Sequence, residues 1–193
     1  TFTILGCGSS LGVPRIDGNF GNCNPKNKKN FRTRCSAFLR FEKKNILIDT
    51  SPDIRSQLLK NKISNINTVL YSHLHADQTH GINDLKFFFL KNKKKIPVYA
   101  DLITRKYLLE NFTYCFKKDH YPPTLDLKKI KTNLKFTSNN KTLSVRAVPV
   151  KHGSINSIAY IFNKKCAYAS DVNFIYKKDI GYFKNLKYLI LDC

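Results

Sequence analysis

The sequence predicts an α/β sandwich in which two sheets pack together and helices cover the outside. Three observations predict it. Runs of strand type outnumber stretches with helical spacing. Tight hairpins mix with longer crossovers, so the strands pair in both senses. Several apolar strands end on a polar residue of the kind that ligates or catalyses, and strand tips are where open α/β folds build their sites.

The elements follow in chain order. Thr3 to Leu5 is apolar and β-branched and runs into Gly6-Cys7-Gly8, so it reads as a first strand. Gly12 to Arg34 is polar and rich in Gly, Pro and Asn, a loop long enough to be functional or disordered. Ala37 to Glu42 and Asn45 to Asp49 are strands joined by the short turn Lys43-Lys44. Ser51-Pro52 then opens a helix, with Pro at its first position and Ile54, Leu58 and Leu59 on one face. Thr68 to Ser72 is the next strand. Helices follow over about Ile82 to Leu90 and Leu102 to Phe116, with the strand Val98 to Ala100 between them. Lys117 to Lys141 reads as irregular, broken at Tyr121-Pro122-Pro123. Strands return at Leu143 to Val150, Ser157 to Phe162 and Ala167 to Ser170. A helix is expected over roughly Phe174 to Phe183, and Tyr188 to Leu191 reads as a buried strand.

At 193 residues with a 42% hydrophobic share, the chain fits one domain with a proper core. No apolar run approaches the roughly 20 residues needed to cross a bilayer. Nothing at the N-terminus reads as a signal peptide, so no membrane association is expected and the default location is the cytoplasm. The chain lacks Met and stops where a strand has just delivered Asp192, so it is expected to be a piece of a longer protein. The six cysteines form no CxxC pair and read as free thiols. The net charge is +21, yet only seven of the 34 basic residues are Arg. Lys and Asn crowd the same segments, as compositional bias would produce at surface positions. A nucleic-acid partner is therefore not the favoured reading of the charge, although a basic surface would concentrate anionic substrates.

The informative stretch is His73-Leu74-His75-Ala76-Asp77. Two imidazoles and a carboxylate alternate directly after the apolar run Thr68 to Tyr71. At a strand tip they can converge on one point. Imidazole and carboxylate are ligands that suit zinc and related metals. Three other strands end similarly: Leu47-Ile48-Asp49-Thr50-Ser51, Val148 to Lys151 before His152-Gly153, and Tyr168-Ala169-Ser170 before Asp171.

His73 to Gly81 resembles the HxHxDHxxG signature of the metallo-β-lactamase superfamily. The order HxHxD, then His152, then Asp171 is similar as well. Gly6-Cys7-Gly8-Ser9-Ser10 and His80-Gly81-Ile82-Asn83-Asp84-Leu85 most resemble the PhnP-type phosphoribosyl 1,2-cyclic phosphate phosphodiesterases. The resemblance implies an αββα four-layer sandwich truncated at the C-terminus, with residues 1–193 forming a single hydrolase domain. It implies that His73, His75 and His152 hold one metal, and that Asp171 bridges to a second, which Asp77 also binds. The metal would be zinc, one or two ions, with manganese as an alternative. Where the family has a His after Asp77, this chain has Gln78, a weak ligand or a mere substitution. The family's last His, from a segment after the final strand, is not in this sequence. Cys23 stands alone where the PhnP type carries a cysteine cluster, so no structural zinc is expected.

The implied activity is hydrolysis of a phosphodiester, such as a cyclic phosphate of a ribose-type substrate, through attack of a metal-bound hydroxide. Asp77 would orient the nucleophile or relay its proton. Asp49 is a candidate for holding a ligand His by its other ring nitrogen, against a plain turn role. His80, Arg15 and Ser9 are candidates for contacting a small phosphorylated substrate, with the backbone of Gly6 and Gly8. His120 reads as surface. The alternatives are a ribonuclease Z-like RNA-processing hydrolase and a non-catalytic binding module that keeps the fold. The oligomeric state is not readable.

Overall fold

The computed structural model describes residues 1–118 and 121–192, so His120 lies outside the described residues. The first sheet contains, in spatial order, β1 (Phe2–Gly6), β2 (Ser36–Phe41), β3 (Lys44–Ile48), β4 (Thr68–Leu70), β5 (Ile96–Ala100) and β6 (Leu125–Lys129). Its first three strands pair antiparallel and the rest parallel. The second sheet contains β7 (Asn133–Ser138), β8 (Lys141–His152), β9 (Ile155–Phe162), β10 (Cys166–Ala169) and β11 (Tyr188–Leu191). Only its last pair is parallel. Parallel neighbours need crossovers. These carry α1 (Ile54–Lys60), α2 (Ala76–Thr79), α3 (Lys86–Asn92), α4 (Leu102–Asn111) and α5 (Thr113–Phe116).

Strand β3 shows why the layers stack this way. Ile46 and Ile48 face the second sheet, in a cluster with Leu39, Leu70, Val145 and Tyr160. Leu47, between them, packs among Ile54, Leu58, Leu85 and Leu108 on the helical side. Both faces are buried, so the strand reads as an unbroken apolar run. Each such side chain contributes about 1.5–3 kcal/mol. The outer face of the second sheet carries two small clusters of its own. Val150, Ala159 and Ala169 pack there against Val172, Ile175 and Phe183.

The structure departs from the sequence reading in several places. The stretch expected to be irregular contains β6 and β7. In β7 the buried Leu134 and half-buried Phe136 alternate with exposed Lys135 and Thr137, a period of two that the lysines disguise. Instead of a helix over Phe174 to Phe183 there is a 3-10 segment, Lys177–Phe183. Strand β11 is an exposed edge, with Tyr188 58% and Leu191 43% accessible, where a buried strand was expected. Helix α1 begins at Ile54 rather than Pro52, and Leu59 is 64% exposed. Gln57 is buried in its place because its Nε2 donates to Thr33 Oγ1 (2.9 Å) and the Arg34 carbonyl (2.8 Å). The helix is thereby turned to anchor the end of the long loop. That loop holds itself in Asx turns: Asn19, Asn24 and Asn27 each accept from the backbone N–H two residues on.

Arg34 and Asp53 tie loop to helix by a fork: Nε donates to Oδ2 (2.9 Å) and Nη2 to Oδ1 (2.7 Å), and the Arg34 N–H also donates to Oδ2 (2.9 Å). The hydrogen bonds from Arg34 hold the Asp53 carboxyl below the usual carboxylate range, and burial opposes them only in part. A carboxyl depressed in the folded state stabilises above its unfolded pKa of about 3.9, and the benefit fades as pH falls through the folded value. We predict that Asp53→Asn costs about 1–2 kcal/mol at pH 7, the pair being partly exposed to solvent. Thermal melts of the two proteins should converge below about pH 4. An equal gap at pH 3 and pH 7 would contradict the assignment.

Candidate metal centre

The site forms where strand tips from both sheets meet. Strand β4 ends at Leu70, and Tyr71 and Ser72 carry the chain to His73 and His75. Strand β8 ends on His152 itself. Asp171 follows β10, and Asp49 follows β3. The four segments expected to meet do meet.

The three imidazoles converge. His73 Nε2 lies 2.9 Å from His75 Nδ1, and His152 Nε2 lies 3.3 Å from the same atom. All three ligand-type nitrogens fall within 4.8 Å of one another. The rings stand edge to face, with centroids 4.6, 5.0 and 5.1 Å apart. Tetrahedral coordination at about 2.0–2.1 Å places ligand nitrogens roughly 3.3–3.4 Å apart, close to what is seen. Asp171 Oδ1 stands 3.8 Å from His152 Nε2. His73 is buried, His152 half-buried and His75 exposed, so the cluster opens on the His75 side.

A buried chain of donors orients His73. The Ser72 N–H donates to Asp49 Oδ1 (2.7 Å), and the Ser72 hydroxyl donates to Oδ2 (2.8 Å). Ser72 Oγ is also 3.0 Å from His73 Nδ1. A hydroxyl has one proton, so with Ser72 donating to Asp49 the network assigns the hydrogen to His73 Nδ1. Nε2 is left with a bare lone pair facing the other two rings. Burial, with His75 and His152 nearby, pushes the His73 pKa down to about 3, so the ring is neutral. One proton can satisfy only one pair among three facing nitrogens; a cation satisfies all three. The donor set therefore fits a metal ion, and three imidazoles suit zinc. Among the described residues, His152 Nδ1 is, in contrast, buried without a partner.

Asp49 thus acts on a ligand histidine through Ser72 rather than directly. Burial pushes its carboxyl well up, against the two Ser72 hydrogen bonds. Burial also raises Asp171, with Asp77 adding to the effect. Gln78, fully buried, turns its amide nitrogen to the carboxylates, donating to Asp77 Oδ2 (2.9 Å) and Asp171 Oδ2 (3.2 Å).

The tip is clamped from every side. The Thr50 N–H donates to the Gln78 carbonyl (2.7 Å), and the Gly81 N–H donates to the Thr50 carbonyl (2.8 Å). A Cβ on Gly81 would sit 2.1 Å from the Ser51 carbonyl oxygen, so this glycine lets the loop lie against β3. From the second sheet, the Tyr160 hydroxyl donates to the Tyr71 carbonyl (2.7 Å) and the Ile158 N–H to the Ser72 carbonyl (2.9 Å).

The other candidates have partners outside the cluster or are exposed. His80 Nε2 pairs with the Tyr107 hydroxyl at 2.9 Å on α4, and its ring packs on Phe112. Gly8 spends its N–H on the Thr33 carbonyl (2.8 Å), so it is not free for a phosphate. Gly6 and Gly8 instead let the strand approach the loop, where a Cβ would meet Arg34 O at 2.1 Å and Arg32 O at 2.7 Å. The side chains of Ser9 and Arg15 are exposed. The sequence reading missed Ser72, Thr50, Tyr71 and Tyr160. It also missed Cys35, whose thiol donates to the Gly8 carbonyl (3.4 Å). Burial and the fields of Asp171, Asp49 and Asp77 push that thiol up to about 12, so it is no nucleophile.

The family described as beta-lactamase superfamily domain matches residues 44–193. The chain belongs to the beta-lactamase superfamily. Its two-sheet architecture is the metallo-β-lactamase fold. The structure of a diphosphatase from the PhnP family aligns with TM-score 0.85 at 27% identity, covering 100% of this chain and 73% of that one. The short form of human tRNase Z shares the fold, with TM-score 0.67 and 17% identity over 97% of this chain and 76% of its own. The chain is also 29% identical over 192 residues to an octanoyltransferase of Porphyromonas gingivalis (strain ATCC BAA-308 / W83). That alignment covers 98% of this chain but 38% of the relative, so the chain spans well under half the length of the curated relative it matches.

Ser72→Ala should weaken zinc binding about 10–100-fold, the usual effect of removing a partner that orients a ligand histidine. Competition against a chromophoric chelator reads this. Unchanged affinity would show that Ser72 does not orient His73.

Proposed function

We propose that this chain is a metal-dependent hydrolase that cleaves a phosphodiester bond in a small phosphorylated substrate, a cyclic phosphate of a ribose-type compound being one such. The observation that carries the reading is the convergence of His73, His75 and His152 beside Asp171 and Asp77. The 27% identical diphosphatase from the PhnP family supports it, since a diphosphatase acts on phosphate groups and the match spans this whole chain. Zinc is the proposed metal, from the three-imidazole donor set. A divalent ion held by the three histidines would supply Lewis acidity at a phosphoryl oxygen and an activated water near neutral pH.

The chain's own residues do the rest. Neutral His73, fixed by Ser72 and Asp49, gives the centre a rigid buried floor, while exposed His75 marks the side from which substrate arrives. Asp77, half-buried at that opening, takes the proton from the attacking water. The Gln78 amide holds the Asp77 carboxylate by its Oδ2 (2.9 Å), leaving Oδ1 for the proton. A net charge of +21 raises the local concentration of anionic substrate. Among the described residues no helix is long and apolar enough to cross a membrane; a cytoplasmic location is proposed with the function. The alternative, an RNA-processing hydrolase, would instead bind and cut RNA with a steep salt dependence.

The test uses the full-length protein, loaded with zinc, on bis-p-nitrophenyl phosphate. Turnover is expected, and His75→Ala or Asp171→Ala should abolish it. Asp77→Asn should lower it about 10²-fold or more with metal content unchanged. Full turnover in His75→Ala would end the proposal, and metal binding without turnover on any phosphodiester would favour a binding module.

A further inference from the structure

The resemblance drawn from the sequence implies room for a second cation between Asp77 and Asp171. That space is filled by this chain itself. The Gln78 side-chain nitrogen lies 2.9 Å from Asp77 Oδ2 and 3.2 Å from Asp171 Oδ2, and an amide nitrogen has two hydrogens, one for each carboxylate. The two carboxylates set its orientation: turned over, the amide would press its oxygen against two acceptor oxygens, which repel it. Among the described residues, Gln78 Oε1 at the other end is buried without a hydrogen-bond partner.

The side chain is also enclosed and its main chain held. Gln78 is 0% exposed. Its N–H donates to the His75 carbonyl (3.0 Å), and its own carbonyl accepts from the Thr50 N–H (2.7 Å). Its backbone is therefore fixed between the ligand loop and the tip of β3. A second ion at this position would have to displace a buried donor that already satisfies both carboxylates, and would gain a neutral amide oxygen in place of an imidazole.

We propose that the Gln78 amide replaces the second cation, so that this centre takes one metal ion, held by His73, His75 and His152. Asp77 and Asp171 are then bridged by hydrogen bonds and serve as acceptors rather than as ligands of a metal pair. This inference rests on the metal-centre reading and deepens it by assigning its stoichiometry.

The test is a titration of chelator-stripped full-length protein with Co²⁺, followed by its visible absorption, with ion content after zinc loading measured by mass spectrometry. His73→Ala gives the baseline, which removes any ions bound elsewhere in the protein. Over that baseline the unaltered protein should saturate at one equivalent, and Gln78→His should move the end point to two. Two equivalents in the unaltered protein, or one in a folded Gln78→His, would overturn the inference. Should Gln78→His not fold, the end point of the unaltered protein decides alone. No ion over baseline would remove the metal centre as well, which separates that failure from two ions, where the centre stands and only its stoichiometry changes.

Discussion

Everything at this site depends on one buried carboxylate. Asp49 is fully enclosed at the end of β3, with its backbone at φ +60°, a left-handed conformation that few residues other than Gly adopt. Both its oxygens accept from Ser72, one from the backbone N–H and one from the hydroxyl. A buried charge-bearing group without such partners would be costly. The fold keeps it there because it locks the register between two strand tips and, through Ser72, sets which nitrogen of His73 is bare. Local backbone strain, strand pairing and ligand tautomer are thus one arrangement.

From this point the two sheets act as a pair of jaws. Sheet one supplies Asp49 and the loop from His73 to Gln78, and sheet two supplies His152 and Asp171. Tyr160 and Ile158 bind the second sheet to the β4 extension immediately before the ligands. The inter-sheet core of Ile46, Ile48, Leu70, Val145 and Tyr160 holds the spacing between these tips. A close-packed interior transmits little slack, so the geometry of three nitrogens is set by side chains far from them. Burial then grades the centre from enclosed His73 to open His75, which gives the chemistry a floor and an entrance.

Much of this was legible in the sequence, for identifiable reasons. The run His73-Leu74-His75 follows an apolar strand, so two ligands could be placed at one tip, and the strand ends at His152 and before Asp171 could be placed beside them. The fold class followed from the mix of hairpins and crossovers. Other features could not be read. Ser72 looks like an ordinary strand residue until the parallel pairing of β3 and β4 brings Asp49 against it, and pairing is non-local. Lysines on the solvent faces of β6 and β7 made two strands look like irregular chain. Gly6 and Gly8 looked like an anion cradle, but close approach of the loop that ends at Arg34 is what requires them. The departure of Gln78 from the family pattern is legible, but its contact with Asp171, 93 residues away, depends on how the two sheets meet.

The most direct test of the account is X-ray absorption spectroscopy at the zinc edge on the full-length protein loaded with one equivalent of zinc. Three imidazole rings at about 2.0–2.1 Å, with the remaining scatterers nitrogen or oxygen and no sulfur, are the expected first shell. A fall in the imidazole multiple-scattering signal from three rings toward two in a His152→Ala protein would tie it to residues from both sheets. A first shell containing sulfur near 2.3 Å, or one with fewer than two imidazoles, would contradict the claim that these strand tips assemble a metal centre.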